Sequence, residues 1–268
     1  MARHARVDAE LVRRGLARSR QQAAELIDAG LVRIDGIPAA KAATAVSATA
    51  SLVVQGESDE RWVSRGAHKL LGALDAFSPQ GLSVDGRRCL DAGASTGGFT
   101  EVLLRSGARE VVAADVGYGQ LAWSLQSDDR VTVLDRTNVR TLTPELIGGA
   151  VQLIVADLSF ISLALVLDAL IACATTDADI VPMVKPQFEV GKELVGAGGV
   201  VRDPQLRTDT VVSVARRAQA HGWHTAGVTA SPLPGPSGNV EYFLWLRNTD
   251  SGLDLEAAVT EAVAKGPQ

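Results

Sequence analysis

The feature that most constrains this chain is a regular alternation of short apolar runs and helix-like segments from residue 64 onward. Segments with helical periodicity, such as 100–106 and 205–221, lie between most of the apolar runs. This order is typical of a doubly wound, mostly parallel sheet with helices on both faces. We therefore predict a seven-stranded α/β domain over residues 64–268. Its predicted strands are 88–92, 111–116, 131–134, 151–158, 180–184, 223–228 and 240–246.

Composition excludes several other classes of protein. With 46% hydrophobic residues among 268, the chain can bury a core, which excludes general disorder. Cys89 and Cys173 are too few for a disulfide framework and form no Cys-x-x-Cys pair. The longest apolar run, 158–167, is about half of a membrane span, and no signal peptide precedes it. We expect a cytoplasmic monomer without a stable membrane association.

The N-terminal segment differs in charge from the rest of the chain. In residues 1–20, six arginines face only Asp8 and Glu10, a local net charge of +4, whereas the whole chain carries −5. Such asymmetry is typical of a nucleic-acid-binding module attached to another domain. The alternative is that these arginines coat two solvent-exposed helices.

The local pattern of this segment favours the first reading. Residues 7–12 predict a short helix, and Ser19 caps a second one over 21–29, which Gly30 ends. Strands are predicted at 31–36 and 51–54. The segment resembles the S4 RNA-binding domain, through Arg6-Val7-Asp8, residues 15–20, Ala24, Leu26-Ile27, Gly30, Val32 and Asp35-Gly36. The resemblance implies an α+β RNA-binding domain over 1–59, with RNA phosphates contacted by Arg3, Arg6, Arg18, Arg20 and Lys41.

A polar linker over 60–63 joins the two domains. Trp62 in this linker either packs between the two domains or stacks on RNA. We also consider the hypothesis that it couples RNA docking to ligand binding in the larger domain.

A glycine-rich turn, Asp91-Ala92-Gly93-Ala94-Ser95-Thr96-Gly97-Gly98-Phe99, follows the first predicted strand of the larger domain. Such a turn brings backbone close to a ligand and directs helix N–H groups toward it. Ser95 stands where a dinucleotide fingerprint needs its second glycine, which argues against a dehydrogenase. Asp115 closes the next predicted strand, where an acid can bind both hydroxyls of a ribose. Turn and acid together predict a nucleoside-type ligand.

The turn resembles that of the FtsJ-type ribose 2′-O-methyltransferases. Together with the S4-like segment, the whole chain resembles the TlyA family of rRNA methyltransferases, which are also labelled haemolysins. Other motifs that carry the resemblance are 64–70, 156–161, 185–189 and 237–241. It implies a Rossmann-like class I methyltransferase that transfers methyl from S-adenosyl-L-methionine to a cytidine 2′-hydroxyl. The implied substrates are 16S and 23S rRNA in 30S and 50S subunits, and the modified ribosome would be sensitive to capreomycin and viomycin-type antibiotics.

The resemblance also implies site residues. The implied cofactor contacts are Gly93, Ala94, Ser95, Thr96, Gly97, Gly98, Phe99, Asp115, Val116, Asn138 and Asp157. Two of these have a structural alternative, since Phe99 could simply hold its helix and Asn138 could be an ordinary polar loop residue. Arg65 and Lys192 flank the expected cleft and are candidate contacts to rRNA phosphates, with solvated surface charge as the alternative.

The catalytic set implied by the FtsJ resemblance is Lys69, Asp157, Lys185 and Glu241. The carboxyl ends of parallel strands share one edge of a sheet, so Asp157 and Lys185 should lie beside the glycine-rich turn. A ribose hydroxyl is a poor nucleophile that must lose a proton. We expect Lys185 to act as the base or as the partner of the developing oxyanion, and Asp157 to orient it. Lys69 and Glu241 would position the substrate and tune Lys185, with Lys69 lowering its pKa.

Other functions have less support in the sequence, and two are kept as alternatives: a membrane-active haemolysin and an RNA-binding protein without catalytic activity. A pseudouridine synthase would need an Arg-Leu-Asp catalytic strand, which is missing from this sequence. A metal enzyme is not indicated, because His221 and His224 have no nearby cysteine or second carboxylate. An RNA-binding protein without catalysis should have lost part of the tetrad. A membrane-active haemolysin should have a membrane span or a strongly amphipathic helix.

Overall fold

The computed structural model describes residues 4–14, 16, 17, 19–28, 30–34, 37–47, 50, 52–54, 62–196, 198–235 and 238–267, with only the backbone of His4, Val53 and Lys192. Arg3, Arg18, the side chain of Lys192 and residues 60 and 61 of the predicted linker therefore lie outside the described residues. The chain forms two compact units, Met1–Arg61 and Trp62–Gln268.

The first unit is a small α+β fold. Strand β1 pairs with β4, and β2 pairs with both β3 and β5, all antiparallel. Ser19 caps the second helix as predicted, since its Oγ accepts a hydrogen bond from the backbone N–H of Gln22 at 3.1 Å. Apolar side chains such as Leu11, Ile27 and Val32 form the core. The elements are β1 (His4–Arg6), α1 (Val7–Arg13), α2 (Arg20–Asp28), β2 (Val32–Ile34), β3 (Ile37–Pro38), β4 (Ala45–Ser47) and β5 (Leu52–Val54).

The second unit contains the predicted seven-stranded sheet, in the order β11-β12-β10-β9-β6-β7-β8. Strand β12 runs antiparallel to both of its neighbours, and the other pairs are parallel. The fold class is therefore confirmed. The elements are α3 (Gly66–Phe77), β6 (Arg88–Ala92), α4 (Gly98–Arg105), β7 (Glu110–Ala114), α5 (Trp123–Gln126), β8 (Val131–Leu134), β9 (Val151–Ala156), α6 (Leu167–Ala172), β10 (Ala174–Val184), α7 (Pro186–Glu189), α8 (Pro204–Ala220), β11 (His224–Ala230), β12 (Tyr242–Arg247) and α9 (Leu255–Lys265).

Alternate residues of each strand face opposite sides of this sheet. On β12, Tyr242 and Leu244 join the core on one side, whereas Phe243 and Trp245 join the core on the other. Both faces of the sheet are thus buried under helices, which explains why its strands appear in the sequence as continuous apolar runs.

Several strand ends differ from the prediction. The differences lie at the edge of the sheet where the predicted site residues stand. Strands β7 and β9 end before Asp115 and Asp157, and β12 begins after Glu241. These three polar residues therefore stand in loops just outside the sheet, where their side chains can turn toward a ligand. Register places Val184 opposite Tyr242, so the start of β12 lies at the same edge as the end of β10.

Trp62 is buried in the core of the second unit. The guanidinium of Arg105 lies 4.3 Å from the centre of its ring. This position leaves the ring unable to stack on RNA.

Candidate active site

The structure brings the four predicted catalytic side chains together as a network of alternating charge. Lys69 Nζ lies 2.5 Å from Glu241 Oε2 and 3.9 Å from Asp157 Oδ2. Lys185 Nζ lies 2.5 Å from Asp157 Oδ1 and 3.9 Å from Glu241 Oε1. Each lysine therefore contacts both carboxylates, and the set has no net charge when all four groups are ionised.

The four side chains differ in access to solvent. The side chain of Glu241 is 0% exposed and those of Lys69 and Lys185 are 7% and 6% exposed, whereas that of Asp157 is 22% exposed. Asp157 therefore marks the open side of the network. Glu241 has no surface to offer a substrate, so its geometry supports the tuning role and not direct contact.

The loop before β12 packs closely against the Glu241 side chain at Gly235. A methyl group added at Gly235 would lie 2.3 Å from Glu241 Oε1, so only glycine fits at this point of the loop. Oε1 is buried and accepts no hydrogen bond from any described residue. The charge of Lys185, 3.9 Å away, is thus an important stabilising influence on this oxygen.

Two further polar residues, Ser159 and Glu189, form hydrogen bonds within the loops that follow β9 and β10. They were not predicted as site residues. Ser159 Oγ accepts a hydrogen bond from Lys185 Nζ at 3.0 Å. Glu189 accepts from Ser162 Oγ at 2.6 Å and from the backbone N–H of Leu163 at 2.7 Å. Burial raises the pKa of the Glu189 carboxyl. Both residues stand in the motifs 156–161 and 185–189, which was the available signal for them.

The glycine-rich turn lies directly against the catalytic loop. Gly93 has a φ of +89°, and a methyl group there would lie 2.6 Å from the carbonyl oxygen of Asp157. Gly97 has a φ of +98°, and a methyl group there would lie 2.2 Å from Leu125 Cδ1. The turn ends at the N-terminus of α4, and Ser95, Thr96 and Ala94 lie between the two glycines.

Asp115 joins the glycine-rich turn to the loop that follows β7. Its Oδ2 accepts from the N–H of Ser95 at 2.8 Å and its Oδ1 from the N–H of Gly117 at 2.7 Å. Each carboxylate oxygen can accept a further hydrogen bond. The carboxylate is thus held in place with capacity left for hydroxyl groups.

The remaining predicted cofactor residues occupy varied surroundings. Val116 is exposed beside Asp115. Asn138 is also exposed, but its side chain accepts a hydrogen bond from the N–H of Arg140 at 3.0 Å. Phe99 is buried, with its ring 6.1 Å from that of Phe243. The geometry of Phe99 therefore supports the packing alternative, and cofactor contact by Val116 and Asn138 stays a prediction.

Asp91 is a buried acid beneath the turn. Its Oδ2 accepts from Thr100 Oγ1 at 2.7 Å, whereas Oδ1 is buried without a hydrogen bond from any described residue. Burial raises the pKa of this carboxyl to about 7. The uncompensated oxygen is a feature that a nearby cationic ligand would stabilise.

The candidate RNA contacts that the structure describes are exposed. Arg6 and Arg20 both donate hydrogen bonds to Asp8 in the first unit. Lys41 and Arg65 are exposed. Contact with RNA remains a prediction for all of them.

The described residues lack two features, a metal-binding cluster and a membrane-spanning helix. Within this part of the chain, no group of three or more His, Cys, Asp and Glu side chains could hold a metal ion. None of the helices described here combines the length and the apolar character that a membrane crossing requires.

Fold and site together define the class of protein, a Rossmann-like methyltransferase with an additional small domain. The model of the FtsJ-like methyltransferase family matches residues 62–248, and that of the S4 domain matches residues 5–51. The chain is 72% identical to the 16S/23S rRNA (cytidine-2′-O)-methyltransferase TlyA of Mycobacterium tuberculosis, over the full length of both chains.

A further relative and a solved structure are similar to this chain over nearly its whole length. Hemolysin A of Brachyspira hyodysenteriae is 35% identical over 88% of this chain and 97% of its own. A solved structure from Streptococcus thermophilus that carries a hemolysin name is 37% identical, with a TM-score of 0.74 over 99% of this chain and 96% of its own. The chain belongs to the TlyA family of FtsJ-like methyltransferases.

Proposed function

We propose that this protein methylates the ribose 2′-hydroxyl of cytidine in 16S and 23S rRNA, within 30S and 50S subunits. The observation that carries the proposal is the position of Lys185 Nζ, which lies between Asp157 and Ser159 beside the glycine-rich turn. The 72% identity to an enzyme named for this reaction supports the choice of substrate.

The residues present fit S-adenosyl-L-methionine as cofactor. Asp115 retains hydrogen-bonding capacity for two ribose hydroxyls, and Gly93 and Gly97 let the backbone approach a ligand closely. The buried Oδ1 of Asp91 favours a positively charged ligand above it. This cofactor supplies an electrophilic methyl group on a positively charged sulfur.

The protein's own contribution to the reaction is to orient the hydroxyl and to manage its proton. Asp157 Oδ1 and Ser159 Oγ hold Lys185 Nζ in one orientation. In that orientation the neutral amine of Lys185 would receive the 2′-hydroxyl proton, whereas its ammonium form would stabilise the oxygen as negative charge develops on it. Lys69 and Glu241, linked at 2.5 Å, keep the charge of the network balanced while this proton moves.

The first unit supplies the affinity for RNA. Arginine and lysine contacts to phosphate provide binding strength and orientation, whereas the target nucleotide is selected by rRNA shape. An rRNA substrate places this activity in the cytoplasm, and the methylated ribosome would be sensitive to capreomycin and viomycin-type antibiotics.

The test is methyl transfer from radiolabelled S-adenosyl-L-methionine to unmodified 30S and 50S subunits. We expect label in rRNA as an alkali-resistant dinucleotide, and its loss with Lys185→Ala. The matched control is Lys265→Ala, which removes an exposed lysine of α9 and should leave the rate unchanged.

Two outcomes would overturn the proposal. Failure of the wild-type protein to label either subunit, although it binds the cofactor, would indicate another RNA target or a binding-only protein. Release of dye from liposomes by the purified protein would instead support the haemolysin alternative.

A further inference from the structure

Outside the catalytic network, the first unit contains a buried carboxylate, Asp8, that is paired with two arginines. The side chain of Asp8, in α1, is 5% exposed. It accepts hydrogen bonds from Arg6 Nε at 3.1 Å and Arg6 Nη2 at 3.0 Å. It also accepts from Arg20 Nε at 3.3 Å and Arg20 Nη2 at 2.9 Å. One carboxylate therefore joins two guanidinium groups.

The two arginines come from different elements. Arg6 immediately precedes α1, and Arg20 is the first residue of α2. Their side chains remain 51% and 60% exposed, although the carboxylate between them is buried. The Nη1 atom of each guanidinium bonds to nothing within the described part of the chain. Each arginine thus has one side fixed by Asp8 and another side free to donate.

Fixing these side chains in advance has a thermodynamic consequence. An arginine loses rotamer freedom when it binds a phosphate, and this loss opposes binding for each side chain that becomes ordered. Asp8 already holds both arginine side chains in the free folded protein, so little of this freedom is left to lose when a phosphate binds. Planar guanidinium groups suit phosphate oxygens particularly well when they are already oriented.

We propose that Asp8 is a positioning residue for RNA binding, which holds Arg6 and Arg20 as a preformed site for a backbone phosphate. This inference rests on the proposed function, since it assumes that the first unit binds rRNA. On this proposal, the negative charge of Asp8 favours RNA binding, although RNA is itself negatively charged.

The same helix provides a matched control. Glu10 is also a buried carboxylate with two arginine partners, because it accepts from Arg13 at 2.6 and 2.7 Å and from Arg14 at 2.7 Å. Each residue of a helix is rotated by about 100° from the one before it, so residues two apart lie on nearly opposite sides of the helix. Glu10 therefore organises a different side of α1 with the same chemistry.

The experiment compares Asp8→Asn with Glu10→Gln in the full-length protein. Each substitution removes one negative charge and keeps the size of the side chain. Electrostatics alone predicts that both variants bind RNA more tightly, because both become more positive. Positioning predicts that Asp8→Asn binds unmodified 50S subunits about tenfold more weakly, consistent with two side chains left to be ordered on binding.

A double-mutant cycle separates positioning from a general effect on folding. In an Arg6→Ala/Arg20→Ala background, Asp8→Asn should not weaken binding further. The melting temperature of each variant shows whether the first unit remains folded. Loss of binding by Asp8→Asn in this background as well would assign Asp8 a purely structural role.

The inference and the proposed function fail in different ways. A wild-type protein that neither binds nor methylates subunits would refute the proposed function. A wild-type protein that methylates normally, with Asp8→Asn binding as tightly as Glu10→Gln, would refute only the positioning role of Asp8.

Discussion

Removal of Glu241 tests most directly how the catalytic network is held together. Its carboxylate is fully buried, 2.5 Å from Lys69 Nζ and 3.9 Å from Lys185 Nζ. With an effective dielectric constant of about 20, Coulomb's law gives roughly 7 and roughly 4 kcal/mol for these two attractions. Desolvation of the three ions, at several kcal/mol each, opposes this gain.

Glu241→Gln keeps the shape of the side chain but leaves two buried lysines with Asp157 as their only acidic partner in the network. Breaking a buried ion pair costs about 3–5 kcal/mol, because the remaining charge has lost its partner. We expect the free energy of unfolding to fall by this amount. Urea unfolding followed by circular dichroism measures it.

Lys69→Met combined with Glu241→Gln provides the decisive comparison. The double variant removes one charge of each sign, so it should recover about 2–3 kcal/mol relative to the sum of the single variants. The control is Glu256→Gln, which breaks an exposed pair with Arg216 and should leave the unfolding midpoint unchanged. Additive effects of the two buried substitutions would show that these groups do not stabilise each other.

Three further predictions concern the glycine-rich turn. The pKa of Asp91 is about 7 in the folded protein against an ordinary 3.8, so the folded state binds more protons in this window and stability falls as pH rises through it. Asp91→Asn should therefore gain stability relative to wild type between pH 5 and pH 8, by about 3 kcal/mol, and an equal difference at both pH values in urea unfolding would contradict this. Gly97→Ala should weaken cofactor binding in calorimetry and cost about 1–3 kcal/mol of stability, with partial recovery in combination with Leu125→Ala. Asp115→Asn should weaken cofactor binding about tenfold or more while rRNA binding persists, and unchanged cofactor affinity would exclude Asp115 as the ribose contact.

Much of the sheet could be predicted because burial on both faces makes its strands apolar throughout. The strands 88–92 and 131–134 have the predicted bounds. Strand β10 begins six residues before its prediction, at Ala174, because the polar stretch 174–179 carries no apolar signal and includes a shift in register. Helix α9 was not predicted, although Asp254 caps it through the N–H of Ala257.

The convergence of the four charged residues followed from topology, since strand ends at one edge of a sheet must meet there. The supporting contacts did not follow from topology. Ser159 and Glu189 act across loops, whose paths no periodic pattern specifies. The link from Asp8 to Arg20 likewise joins two helices through a turn, and its existence depends on tertiary packing.

The contact between Gly93 and Asp157 explains why the turn and the catalytic loop should behave as one unit. The backbone N–H of Asp157 donates to the carbonyl of Ala92 at 3.1 Å, so the loop continues the pairing of β6 with β9. The missing side chain of Gly93 lets the carbonyl of Asp157 lie directly against the turn. Methyl transfer requires donor, acceptor and proton-handling groups to be aligned within a fraction of an ångström. Because Asp157 in turn holds Lys185, the proposed function predicts that a cofactor bound in the turn would be positioned by the same backbone contact that orients Lys185.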